Sequence, residues 1–305
     1  MSVAAVLLLL CSAVIHVGWN LASKRRATGQ TGTAFFLLAN LFQVLLLLPI
    51  PLAYGAKALH LPGALWGWLA ATGFFEALYY AALAGAYQHG ELSIAYPLAR
   101  AIPVLLVALV NLLLGRGGQL SPQALVGMAL VFTGCILLPL ANPTRPRLRD
   151  YLTISMGMAL AAAIGTTGYS LVDDQALRLL RAAAQPGYSP IEAALIYSFW
   201  QTISSALLLL PLTLLTRRGR QALREATRHE AAGAFWTGAG IFAAYILVLV
   251  AMAYARNISY VVAFRQTSIP LGALVGVVWL KEKPYPMKFL SIATIFSGLV
   301  LVGTG

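Results

Sequence analysis

"AYQHGELSIAYPLARAIP", residues 86–103, and "AYARNISYVVAFRQTSIP", residues 253–270, align without a gap. Ala86, Tyr87 and Pro103 fall on Ala253, Tyr254 and Pro270. Each stretch runs on into an apolar segment: "SIAYPLARAIPVLLVALVNLLL" (93–114) and "SYVVAFRQTSIPLGALVGVVWL" (259–280). Each is long enough to cross a bilayer, for which about 20 apolar residues suffice. Each also carries an arginine, Arg100 or Arg265. The spans and their repetition fix the fold class; the arginines raise the question of function.

The surrounding chain has the same character. Of 305 residues, 60% are hydrophobic and 10% charged, and the mean hydropathy is +0.80. Soluble domains carry about 25% charged residues, so the composition points to an integral membrane protein. Apolar runs place ten transmembrane segments near 3–22, 31–54, 63–88, 91–115, 121–141, 151–174, 191–215, 231–255, 258–280 and 285–304. The first lacks the basic leader of a signal peptide and is expected to stay in the protein. The pI of about 10 comes from short basic clusters between apolar runs, a pattern of membrane orientation rather than nucleic-acid binding. Cys11 and Cys135 have no metal-spaced partners and read as small packing residues.

The linker 142–150, "NPTRPRLRD", divides the chain near its middle. Besides the opening pair, "FTG" (132–134) matches "FSG" (296–298), and "GWNLAS" (18–23) matches "GYSLVD" (168–173) more weakly. Repeats of five spans each, 1–141 and 151–305, must enter the membrane with opposite orientation because five is odd. Such inverted repeats put a substrate site near the midplane between them. Loops after the odd-numbered segments hold 14 Lys and Arg and the opposite loops 5. That bias predicts cytoplasmic odd loops and outward termini.

With "GELSIAYPLARAIPVLLVALVNLLLG", "SYVVAFRQTSIPLGALVGVVWLKEK" and the opening "HVGWNLASK" in view, the chain resembles the drug/metabolite transporter superfamily, EamA type, over essentially its whole length. The resemblance implies a ten-helix, all-α membrane fold of two inverted repeats and small-molecule transport without a cofactor. It also implies cytoplasmic termini, opposite to the charge count. An acidic residue follows the second-half motif at Glu282, whereas the first half has "GRGG" there.

Arg100 lies about ten residues into its segment, ~14 Å deep at 1.5 Å per residue, close to the middle of a ~30 Å hydrocarbon core. A charge there costs about 2.5–3.5 kcal/mol or more unless it meets a partner or a cavity. Glu76, counted from the tight turn near residue 89, reaches almost the same depth. A Glu76–Arg100 pair is therefore expected, either as a structural bridge or as a pair that substrate opens, with Glu76 then taking a proton. Tyr96 shares a helix face with Arg100. The repeat offset gives Tyr260 and Thr267 as second-half counterparts of Ser93 and Arg100, while Arg265 falls on another face and nearer a helix end.

His16 and Asn20 share a face of the first segment, with Tyr169 repeating Trp19 in the sixth. His16 is a second proton-coupling candidate. Trp200, Gln201, Tyr245 and Tyr79 are further candidates for lining a cavity. Asp173 and Asp174 fall at the end of the sixth segment and read as solvated. "GALVG" (272–276) reads as a close helix contact. No metal spacing, nucleotide loop or catalytic motif occurs, so neither metal, cofactor nor enzyme is expected. The expected function is secondary transport of a small anionic or zwitterionic metabolite, such as an amino acid or organic acid. It works in a plasma (inner) membrane, as a monomer or weak homodimer, by export or exchange. Alternatives are a flippase for a lipid-linked head group and a carrier of phosphonate or phosphorylated compounds.

Overall fold

The computed structural model describes residues 1–23, 32–89, 92–137, 154–183, 187–278 and 286–305; the side chains of 20–23, 87–89, 92–98 and 276 lie outside that description. All regular structure among the described residues is helical. The long helices are α1 (Val3–Ser23), α2 (Gly32–Leu47), α5 (Gly63–His89), α6 (Leu92–Leu113), α7 (Pro122–Leu137), α8 (Ile154–Ala182), α9 (Pro190–Leu214), α11 (Ala231–Met252), α13 (Ser268–Val278) and α14 (Pro286–Thr304). Short helices α3 (Pro49–Tyr54), α4 (Ala56–Leu59), α10 (Arg217–His229) and α12 (Ile258–Phe264) complete the set.

Among the described residues, seven helical segments are long and apolar enough to cross a membrane, and Val3–Trp19, Ala99–Leu113 and Pro122–Leu137 are shorter apolar helices. Their exposed faces confirm the environment. On α1, Val3, Leu7, Leu10 and Val14 are all exposed; their spacing makes a single stripe, which only lipid would cover favourably. Phe289, Phe296 and Val300 are likewise exposed on α14. The chain is a multi-pass membrane protein.

With no hydrophobic force between helices in lipid, close packing depends on small residues. Helix α7 packs on α14, α5 on α8 and α1 on α11. At the α7–α14 crossing, a Cβ on Gly127 would meet the Gly298 carbonyl at 2.7 Å, and one on Gly298 the Gly127 carbonyl at 2.6 Å. A Cβ on Gly165 of α8 would meet the Phe75 carbonyl at 2.8 Å, and one on Gly238 of α11 would collide with the Ala39 carbonyl. These glycines let backbones touch. A Cβ on Gly272 of "GALVG" would meet only a Val17 methyl, at 3.9 Å, an ordinary contact; Gly276, the other glycine of that pair, lies outside the described side chains.

Helix α8 runs past its predicted end. Its 29 residues extend roughly 43 Å, because "QALRLLRA" continues the helix with Leu177 and Leu180 fully buried. The ninth span is instead broken: a 3-10 turn, Arg265–Thr267, separates α12 from α13 just before Pro270. Proline lacks the N–H that would continue the helical ladder.

Candidate functional site

Helical spacing brings polar groups to one place. Ser12, His16 and Trp19 follow each other at i, i+4 and i+7 on α1, and Thr72, Glu76, Tyr79 and Tyr80 do the same on α5. Together with Asn40 and Gln43 of α2 and Tyr245 of α11, all but Thr72 line a cavity of about 50 Å³. A bound water needs about 10–15 Å³ of such space, so the cavity takes a few waters. A metabolite needs the helices to part.

Both membrane arginines reach this cavity. Arg100 is 6% exposed; its Nη2 donates to the Arg265 carbonyl at 3.3 Å and to Ser268 Oγ at 3.0 Å. In the broken ninth span the same Arg265 carbonyl also accepts from the Ser268 N–H and hydroxyl, so Arg100 shares an acceptor at the 3-10 turn. The Arg265 guanidinium sits over the rings of Tyr245, at 5.1 Å, and Tyr169, at 5.9 Å, within the ~6 Å range of a cation–π contact. Tyr169 also meets Tyr79 and Tyr245 edge to face at 5.9 and 5.8 Å. His16 stacks edge-on against Trp19 at 4.9 Å. Among the described residues neither arginine forms an ion pair with a carboxylate.

Beside the cavity, Asp173 is 0% exposed. Its Oδ1 accepts from Thr72 Oγ1 at 2.6 Å and Tyr197 Oη at 2.7 Å. Its Oδ2 accepts from Gln201 Nε2 at 3.0 Å and from the Tyr245 hydroxyl. One carboxylate thus ties α8 to α5, α9 and α11. The Gln201 amide also donates to Glu76 Oε1 at 3.2 Å, joining the two acids through shared donors. Four donors satisfy both oxygens of the buried carboxyl, which would be costly to leave unpaired.

Of the residues expected from sequence, His16, Glu76, Tyr79, Arg100, Tyr169, Gln201, Tyr245 and Arg265 line the cavity. The side chains of Asn20 and Tyr96 lie outside the described residues. Three others stand elsewhere. Trp200 turns away from the cavity beside Gln201, donating to the Ala58 carbonyl at 2.8 Å and packing on Trp66. Tyr260 sits in the first turn of α12, at the end of its span, where its hydroxyl accepts from the Ser121 amide at 3.1 Å. Thr267 bonds back to the Phe264 carbonyl at 2.6 Å. The 3-10 turn changes the helical phase, so Arg265, not Thr267, faces Arg100's neighbourhood.

The expected Glu76–Arg100 bridge does not form among the described residues: α8 packs along both α5 and α6 and lies between them. Equal depth was insufficient. Asp173 and Asp174, both expected to be solvated, are both buried, and Asp173 is the most heavily bonded group of the site. The continuing amphipathic pattern after it, with Tyr169 four residues before on the same face, was the signal that marked it as internal.

Residues 3–140 match the EamA-like transporter family. Among curated proteins none matches. A solved structure described only as the crystal structure of a protein shares the fold over 98% of each chain, with a TM-score of 0.60 and 20% identity.

Proposed function

We propose, from the premise that residues 3–140 belong to the EamA-like transporter family, that this membrane transporter of small molecules carries an anionic or zwitterionic metabolite. The observation that carries the reading is the pair Arg100 and Arg265 on one cavity, neither ion-paired to a carboxylate among the described residues. A buried guanidinium held only by carbonyl, hydroxyl and ring contacts leaves room for an anionic group to bind it. Glu76, on the same wall and held by one Gln201 hydrogen bond, suits the ammonium of an amino acid or a coupling proton. His16 is the second proton candidate.

Alternating access between two inverted five-span halves has support in the packing. Exchanging the halves turns the α5–α8 contact into α11–α1, α5–α9 into α11–α2, and α6–α8 into α13–α1, and all six contacts occur. The Arg265–Thr267 break gives the ninth span a place to flex. The reading includes export or exchange across a plasma (inner) membrane; the basic-residue bias supports an orientation with the odd loops cytoplasmic.

Proteoliposome uptake of labelled amino acids, carboxylates and phosphonates tests this reading, with Arg100→Ala and Arg265→Ala alongside wild type. We expect at least tenfold slower uptake of the accepted anion or zwitterion in each variant. Uptake of every accepted compound at the wild-type rate by both variants refutes the assignment.

A further inference from the structure

The arginines of α10 are not part of the cavity. Helix α10 begins at an N-cap, Thr216, whose hydroxyl accepts from the Gly219 amide at 2.9 Å. Its inner face carries Ala222 and Ala226, both buried, and Leu223, which packs against α2 and α9 residues. This fixes α10 across the ends of those spans. The outer face is cationic. Arg217, Arg220, Arg224 and Arg228 recur at spacings of three, four and four, one row of a helix, and Arg218 stands beside them; all five are exposed. The row extends ~16 Å at 1.5 Å per residue.

A solvated helix face usually mixes both signs or pairs its charges along the helix. On α10 a single acid, Glu225, stands against five arginines, and no ion pair joins them among the described residues. Arg220 caps the end of α9 by donating to the Leu214 carbonyl at 2.6 Å, and Glu225 takes its hydrogen bond from Gln221. Arg217, Arg218, Arg224 and Arg228 have no hydrogen bond or ion pair among the described residues. The neighbouring apolar side chains mark the bilayer edge. Leu212 and Leu215 at the end of α9 and Trp236 in the second turn of α11 are exposed, as residues at the lipid boundary are. An unpaired cationic row beside the acyl-chain boundary meets headgroup phosphates before anything else.

We propose that α10 is a docking face for anionic phospholipid headgroups, with Arg217, Arg218, Arg224 and Arg228 holding the lipid phosphates of the adjoining leaflet. Guanidinium groups suit this, since they bind phosphate oxygens through two N–H groups at once. The contact holds the α9–α10–α11 connection against the membrane surface, at the ends of helices whose other residues line the cavity. The inference is independent of the substrate.

The test uses the full chain in mild detergent with equal phosphatidylglycerol and phosphatidylethanolamine, and native mass spectrometry to count retained lipids. Wild type is expected to retain phosphatidylglycerol preferentially, less so as salt rises. Each arginine near a charged bilayer contributes about fivefold, or ~1 kcal/mol. The variant R217Q/R218Q/R224Q/R228Q should therefore lose at least tenfold of the preference. R224Q alone gives a graded loss where the quadruple variant proves unstable. A preference unchanged within twofold in both variants overturns the proposal, as does retention of an oligonucleotide in place of any lipid preference.

Discussion

Replacing Asp173 with Asn tests whether its hydrogen bonds hold the neighbouring helices together. Asn keeps an oxygen for Thr72 and Tyr197, at 2.6 and 2.7 Å. It sets an NH2 against Gln201 Nε2 and the Tyr245 hydroxyl, both donors to Oδ2 in wild type. The tyrosine hydroxyl can turn and accept, but the Gln201 N–H cannot. Hydrogen bonds between helices in membranes contribute about 0.6 kcal/mol on average and up to about 1.7. Bonds to a charged group in water-soluble proteins reach about 1.5–3. One bond lost, one reversed and two weakened then give roughly 1–3 kcal/mol, moderated by relief of the desolvation cost of the carboxylate. At about 2–4 °C per kcal/mol for chains of this size, the melting temperature should fall by roughly 2–12 °C. Asp174→Asn is the internal control. Asp174 is buried too, but the partners given for it, Arg178 at 3.0 Å and Gln175 at 3.1 Å, belong to its own helix, so its replacement should untie no neighbouring helix and cost less. Thermal unfolding in detergent, followed by near-UV circular dichroism, reads both variants. An Asp173→Asn melting point within 1 °C of wild type, or no lower than that of Asp174→Asn, refutes the reasoning.

Further expectations address the cavity and the packing. Glu76→Gln should flatten the pH dependence of uptake while leaving the fold intact, because Gln201 Nε2 can still donate to the new amide oxygen; an unaltered pH profile removes Glu76 from coupling. Gly298→Leu places a side chain against the Gly127 carbonyl, 2.6 Å from where its Cβ stands. It should destabilise by roughly 1–3 kcal/mol or more through overpacking, visible as early aggregation in size-exclusion chromatography, whereas an unchanged elution and melting point would deny the close crossing. Trp200→Phe removes only the bond to the Ala58 carbonyl, so the affinity for any accepted substrate should stay within about twofold; a tenfold change in half-saturation concentration would return Trp200 to the site.

The amino-acid order by itself determined the membrane class, the positions of the apolar segments and the presence of a charge deep in the fourth, because hydropathy and helical rise are local quantities. It also picked out most of the cavity wall: Glu76, Arg100 and Tyr169 reach it by depth and face alone. What surrounds each of those groups was decided by tertiary structure. Equal depth proposed Glu76 for Arg100, but α8 lies between their helices and sends Glu76 to Gln201 instead. The repeat offset proposed Thr267, but a 3-10 turn before Pro270 altered the helical phase and brought Arg265 onto the tyrosines. Hydropathy ended the sixth span at Asp173, yet the helix continues and four donors from three neighbouring helices enclose that carboxylate. A charge reads as water-facing in sequence because its partners are scattered along the chain, and only the packed helices bring those partners within bonding distance.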